Sequence, residues 1–158
     1  MTTDALPDAA AWLNENSTGW DRAMGLRFLH ASGDRVDAEV ELREHHLQPY
    51  GLAHGGVHAG VIEAVCSTGA ALWALPLGLR VVGLENSTSF LRAVREGHLH
   101  ITASPVTRGR RSQVWQAEVR DAQGNLLAQG RVRLLCLDAD ASLAGGALKV
   151  PGEPTPSP

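Results

Sequence analysis

Between Val57 and Leu75 the sequence VHAGVIEAVCSTGAALWAL contains no proline and is apolar on nearly every side of a helical wheel. The run is too long for an ordinary strand, and Pro76 and Gly78 close it, so it predicts one helix buried on most of its faces. Such a helix constrains everything else, because the rest of the chain has to cover it. It has about the length of a membrane span. However, His58, Glu63, Ser67 and Thr68 within it, and polar alternating segments around it, favour a protein core over a bilayer.

Those alternating segments read as strands. On the N-terminal side GLRFLHAS and RVDAEVELRE flank Gly33-Asp34, a pair suited to a tight hairpin turn, and Val36, Ala38, Val40 and Leu42 alternate with polar residues. On the C-terminal side RVVGLENSTSFLRAV, HLHITASPV, SQVWQAEVRD and LLAQGRVRLLCLD are separated by turn signals at Glu96-Gly97, Arg108-Gly109 and Ala122-Gln123-Gly124. Leu99, Ile101 and Ala103, and again Trp115, Ala117 and Val119, oppose polar neighbours at period 2, as strands with one face on a core do. Two strands, a buried helix and an expected four-stranded consecutive meander predict an α+β fold: an antiparallel sheet wrapped around one long central helix. Residues 1–24, including PDAAAWLNENSTGW, read as a helical lead-in, 25–138 as the domain, and 139–158, rich in Pro, Gly, Ala and Ser, as a disordered tail.

A length of 158 residues suits one hydrophobic core, and a net charge of −3 offers no field for a polyanion, so nucleic-acid binding is not suggested. MTTDALPDAAAW has neither a basic leader region nor a long apolar run, which predicts a cytoplasmic protein without a membrane anchor. Cys66 and Cys136 read as two buried free thiols. His45, His46, His54 and His58 do not form an HExxH pattern, and His54 precedes the helix, so no metal site and no cofactor are expected.

Glu63 is the residue out of place, because an unpaired carboxylate among apolar neighbours costs several kcal/mol to bury. The helix is entered through Gly55-Gly56, where unpaired backbone N–H groups stand open with no side chain to block approach. Such donors suit a developing oxyanion. A functional reading is therefore acyl transfer, with the Gly55 N–H polarising a carbonyl and a carboxylate acting as nucleophile or general base. Eight residues of helix separate Gly55 from Glu63 by roughly 12 Å, so one helix cannot bring both to one carbonyl. Two antiparallel helices from two subunits can, with Ser67 one turn beyond Glu63 on the same face. The alternative reading is structural: Glu63 pairs with an arginine such as Arg92 or Arg95 across an interface, and HGG is a flexible helix entry.

With QPYGLAHGG followed by Glu nine residues after the His, and with VVGLENSTSFLRAVREG and SQVWQAEVRDAQGNLLAQ downstream, the chain resembles the hotdog-fold acyl-CoA thioesterases from about Gly25 to Asp138. Within them it resembles the branch of the PaaI-type enzymes, the glutamate-type 4-hydroxybenzoyl-CoA thioesterases and the 1,4-dihydroxy-2-naphthoyl-CoA thioesterases. That resemblance implies hydrolysis of an aromatic acyl-CoA, with Glu63 as catalytic carboxylate, Gly55 as carbonyl-polarising donor, and His54, Gln48 and Ser67 supporting them. It also implies substrate binding by Phe90 and by the basic turn Arg108, Arg110, Arg111 and Ser112, where guanidinium forks suit the phosphates of coenzyme A. The implied assembly is a homodimer at minimum, and a homotetramer as a dimer of dimers. A medium-chain aliphatic thioesterase, a hotdog dehydratase and a non-catalytic acyl-CoA sensor remain as alternatives.

Overall fold

The computed structural model describes residues 8–150. The central helix forms where the apolar run predicts it, as α3, Gly55–Ala74, and is preceded by two short helices, α1 (Ala10–Glu15) and α2 (Gly19–Met24). The lead-in is thus two helices, broken where Thr18 adopts an extended conformation. Six strands follow the predicted segments: β1 Arg27–Ala31, β2 Val36–Glu41, β3 Leu79–Phe90, β4 His98–Arg108, β5 Ser112–Arg120 and β6 Leu126–Asp138.

All six pair antiparallel in the order β1-β2-β4-β5-β6-β3. This corrects the expected meander, because β3 is not beside β4: it lies at the far edge, paired with β6 from Leu79 opposite Asp138 to Phe90 opposite Ala128. The connection from β3 to β4 runs across the end of the sheet. Its Leu91 and Arg92 N–H groups reach Leu127 O, its Val94 O accepts from Ala53, and its Gly97 O accepts from Leu42. A period of two reports which face is buried and carries no information about which strand lies alongside.

The sheet curls around α3, whose Val61, Ile62, Val65, Cys66 and Ala70 are fully buried against Val36, Val40, Leu99, Ile101, Trp115, Val132 and Leu134. By length and composition α3 is apolar enough to cross a bilayer, yet here it is the core around which the sheet closes. One polar chain crosses this core: Trp115 Nε1–H donates to Gln113 Oε1 at 2.8 Å, and Gln113 Nε2–H donates to Ala70 O at 3.1 Å. It ties β5 to α3, while Gly69 leaves room for the Trp115 ring to lie against the helix. Cys66 and Cys136 are free and buried.

The expected tail needs a second correction. Ser142–Leu143 and Gly146–Ala147 pair as a small hairpin, β7 and β8, turned by Ala144 and Gly145 in the left-handed region at φ 51° and 77°. The next residues return to the domain, where Arg80 Nε–H donates to Leu148 O at 3.3 Å. Residues 1–7 and 151–158, the outer parts of the expected lead-in and tail, lie outside the described residues.

Candidate active site

Glu63 sits in the middle of α3, half-buried, on the side that faces edge strand β3. Neither Arg92 nor Arg95 pairs with it; Arg95 donates to Tyr50 O at 2.8 Å instead. The partner of Glu63 is an amide. Asn86 Nδ2–H donates to Glu63 Oε2 at 3.1 Å and also to Ala59 O, one turn earlier in the helix, at 2.9 Å. Thr88 Oγ1–H in turn donates to Asn86 Oδ1 at 2.6 Å.

A β-bulge makes this possible. The β3–β6 register slips between Gly83 and Glu85, with Leu84 as the extra residue. Strict alternation would turn residues 83 and 86 to opposite faces, but the bulge reverses the parity between them. Gly83 and Asn86 therefore both approach Glu63. Glu63 Oε1 packs directly on the Gly83 backbone, in space that any side chain there would occupy.

Two cavities meet at Gly60 and Glu63. A recess of about 380 Å³ opens toward β3, bounded by Ala59, Asn86, Thr88 and Phe90. A mostly apolar groove of about 910 Å³ runs the other way along α3 past Ala64, Ser67, Thr68 and Ala71, under Trp12 and Trp20. The Trp20 indole lies on Gly60, where a methyl group would come within 3.2 Å of Cε2. The returning segment Ala147–Val150 forms part of the far wall. Ser67 shares the groove with Glu63, and no hydrogen bond joins them among the described residues.

The helix entrance is the second polar centre. His54 is the N-cap, accepting the Gly56 N–H on Nδ1 at 2.8 Å, which leaves Nε2 to carry the proton of the neutral ring. Val57 N–H bonds to His54 O, and within the described residues no acceptor takes the Gly55 N–H. The Phe90 ring lies against Gly55, with Cε2 2.8 Å from where a Cβ would stand, and it faces the His58 imidazole at a centroid distance of 6.1 Å. Gln48 Oε1 accepts from the Tyr50 N–H in the preceding turn. Within one chain, then, His54, Gly55 and Phe90 meet at the start of α3, Gln48 lies in the turn before it, and Glu63 and Ser67 stand about two and three turns on.

The basic turn divides. Arg108 is engaged with Gly33 O and with Asp34 Oδ1, at 2.5 and 2.6 Å, and its guanidinium lies 5.7 Å from the Trp73 ring centroid. Arg110, Arg111 and Ser112 are exposed. The histidines have separate tasks: His46 is buried, taking the Arg43 N–H on Nδ1 and pairing its Nε2 with Met24 O, and burial lowers its pKa. His58 is buried with Nδ1 unpartnered, and burial lowers its pKa too. Among the described residues no three His, Cys, Asp or Glu side chains converge as metal ligands.

Asn86, Thr88 and Gly83 surround Glu63, and the pattern of the sequence does not single them out. LENSTSF scans as one more strand, and only the bulge turns these positions toward the helix.

Comparison with known proteins gives this geometry its context. Residues 50–128 match the profile of the Thioesterase superfamily. The chain is 37% identical to the Mycobacterium tuberculosis protein Rv1847 over 135 residues, 84% of this chain and 96% of that one. It is 33% identical to the 1,4-dihydroxy-2-naphthoyl-CoA hydrolase of Escherichia coli K12 over 69% of this chain and 79% of the relative. Among solved structures, S. sahachiroi AziG superposes with a TM-score of 0.74 at 41% identity, covering 77% of this chain and 98% of that one. An antiparallel sheet closed on one central helix, with a carboxylate in that helix and relatives of this kind, identifies the chain as a hotdog-fold member of the Thioesterase superfamily and a thioester hydrolase.

Proposed function

We propose that this chain hydrolyses an aromatic acyl-CoA, of the hydroxybenzoyl or dihydroxynaphthoyl kind, at a site shared between two copies. The observation that carries the reading is Glu63: a half-buried carboxylate that among the described residues pairs with the Asn86 amide and with no arginine, at the junction of an apolar groove and a polar recess. A structural ion pair would neutralise it; a reactive one needs it open. The acyl group lies in the groove under Trp12 and Trp20, whose flat faces suit a planar ring. The name of the Escherichia coli relative supports the same substrate class.

Glu63 then either attacks the thioester carbonyl carbon, expelling the thiolate of coenzyme A and leaving an acyl-glutamate anhydride that water hydrolyses, or takes a proton from a water that attacks the carbonyl and expels the thiolate directly. The developing oxyanion is met by the Gly55 N–H of a second copy, with the helix N-terminus adding its positive partial charge. His54 fixes the local backbone by capping α3, and Gln48 braces the turn before it. Ser67 lines the acyl side of the carboxylate, Phe90 lines the carbonyl side, and Arg110, Arg111 and Ser112 are free to meet the coenzyme A phosphates.

Edge strand β3 supports the shared site. It is 12 residues long with one side unpaired, and Leu84 and Phe90 on it are 52% and 59% exposed, an edge that calls for cover. Pairing with its own copy about a two-fold axis near Ser87 sets Phe90 opposite the second copy's Leu84. Each Gly55 is thereby carried toward the other Glu63. A dimer is the minimum assembly, with a dimer of dimers as the larger form.

One observation favours the aliphatic alternative. From Glu63 to Leu75 the groove follows about 18 Å of helix, longer than one aromatic ring requires. Thiol release from benzoyl-, hydroxybenzoyl-, dihydroxynaphthoyl-, octanoyl- and decanoyl-CoA, with wild type and Glu63→Ala side by side, decides between them. The aromatic reading expects the highest kcat/KM for a ring substrate and loss of turnover in Glu63→Ala. Preference for decanoyl-CoA overturns the substrate class, and equal turnover by the two proteins overturns the role of Glu63.

A further inference from the structure

Asn86 makes three hydrogen bonds with one amide, and together they determine how the Glu63 carboxylate is presented. Both N–H groups of Nδ2 are used, one on Ala59 O of α3 and one on Glu63 Oε2, while Oδ1 accepts from Thr88. The Ala59 carbonyl and the Glu63 carboxylate only accept, so they call for the N–H side of the amide, and the Thr88 hydroxyl completes that orientation by giving its proton to Oδ1. With Oδ1 satisfied in this way, a flipped amide would lose both bonds to acceptors on α3. Thr88 is itself confined by β6, since Gly130 opposite it leaves room that a Cβ would take from Thr88 Oγ1 at 2.5 Å and Ser87 O at 2.9 Å. On its other side the carboxylate rests on the bare backbone of Gly83. Oε2 is thus held at the mouth of the recess by a donor, Oε1 is held by contact, and among the described residues no cation pairs with either oxygen.

We propose that Asn86 is a positioning residue for Glu63, and that Thr88 holds its amide in place through Oδ1. This rests on the reading that Glu63 performs the hydrolysis. A donor on Oε2 holds the side chain in one rotamer while a lone pair stays available to the reacting group. The bulge at Leu84 is the device that brings β3 into this role.

The test separates the donor from the shape. Asn86→Asp keeps size and outline but sets an acceptor against Glu63. We expect kcat on the preferred aromatic acyl-CoA to fall about ten- to a hundredfold, with KM changed less than about threefold. Asn86→Ala is expected to lose a similar factor. Thr88→Ser, which keeps the hydroxyl, should retain wild-type kcat, whereas the near-isosteric Thr88→Val should lose it. Thermal unfolding and size measurements on the four variants check that the fold and assembly persist.

A merely structural Asn86 would leave Asn86→Asp within twofold of wild type, and that result overturns the proposal. Equal behaviour of Thr88→Ser and Thr88→Val overturns the part assigned to Thr88. Glu63→Gln, measured alongside, isolates the underlying reading. If it is inactive while Asn86→Asp is fully active, only the positioning role falls. If it turns over like wild type, the role of Glu63 falls, and the positioning role with it.

Discussion

Replacing Gly83 with alanine places one methyl group against the carboxylate of Glu63 and changes little else. Gly83 is in strand β3 and does not have a positive φ, so the backbone accepts alanine without strain. The new Cβ would stand 3.4 Å from Glu63 Cδ and 3.9 Å from Oε2, with Oε1 nearer than either. Carbon atoms in contact sit roughly 3.5–4.0 Å apart, so Oε1 has to retreat by about 1 Å. The Asn86–Oε2 bond at 3.1 Å has to lengthen or swing with it. A misplacement of about 1 Å at a reacting group can cost on the order of a hundredfold in rate, which is the fall in kcat expected for Gly83→Ala. Stability should hold within about 1 kcal/mol, because an alanine suits a strand at least as well as a glycine. Steady-state thiol release and a urea melt on the same preparation measure both quantities. A kcat within twofold of wild type would refute the claim that the bulge and Gly83 set the position of the carboxylate.

The buried network makes a stability prediction. Gln113→Leu removes the acceptor of the buried Trp115 N–H, and an orphaned buried donor costs about 1–3 kcal/mol, read as a lower urea midpoint with unchanged slope. The pH dependence follows from the buried histidines. The folded-state pKa values of His46 and His58 lie below the ordinary histidine value, so the unfolded chain binds protons more readily. Their contribution is fully present above about pH 6.5 and is lost as pH falls below it. Melts at pH 7.5 and 5.5 should therefore differ, and His58→Phe should narrow the difference; an unchanged gap contradicts the contribution of His58.

The central helix and the existence of six strands were legible in the sequence because each is a local consequence of apolar spacing, although β2 and β3 end at Glu41 and Phe90, short of the segments read as strands. What failed were relations between segments. The position of β3 at the outer edge depends on a connection that runs past Leu127 and Leu42, and no alternation pattern encodes that path. The hairpin at Ser142–Ala147 was hidden in a Gly- and Ala-rich stretch, and of its two left-handed turn positions only Gly145 is a residue that favours that geometry, the other being Ala144. Glu63 stood out at once, since a carboxylate in an apolar helix violates a simple rule. Asn86 did not, because a polar residue in an edge strand violates nothing until Leu84 bulges and turns it inward. The separation of Gly55 from Glu63 was legible as well, and it carries the expectation of two copies per site.

That expectation sets the most direct measurement. Gly55→Pro removes the N–H at the first helical position, where the backbone tolerates proline after the extended His54, and the Phe90 ring has to shift to admit the new Cβ. Glu63→Gln removes the carboxylate. Each variant alone should be inactive, since every shared site lacks one half. Co-expressed with different affinity tags and purified for both, the mixed dimer contains one site with both halves intact and one with neither, so about half of the wild-type kcat is expected. A mixed dimer as inactive as its parents would contradict a site built from Glu63 of one copy and Gly55 of the other.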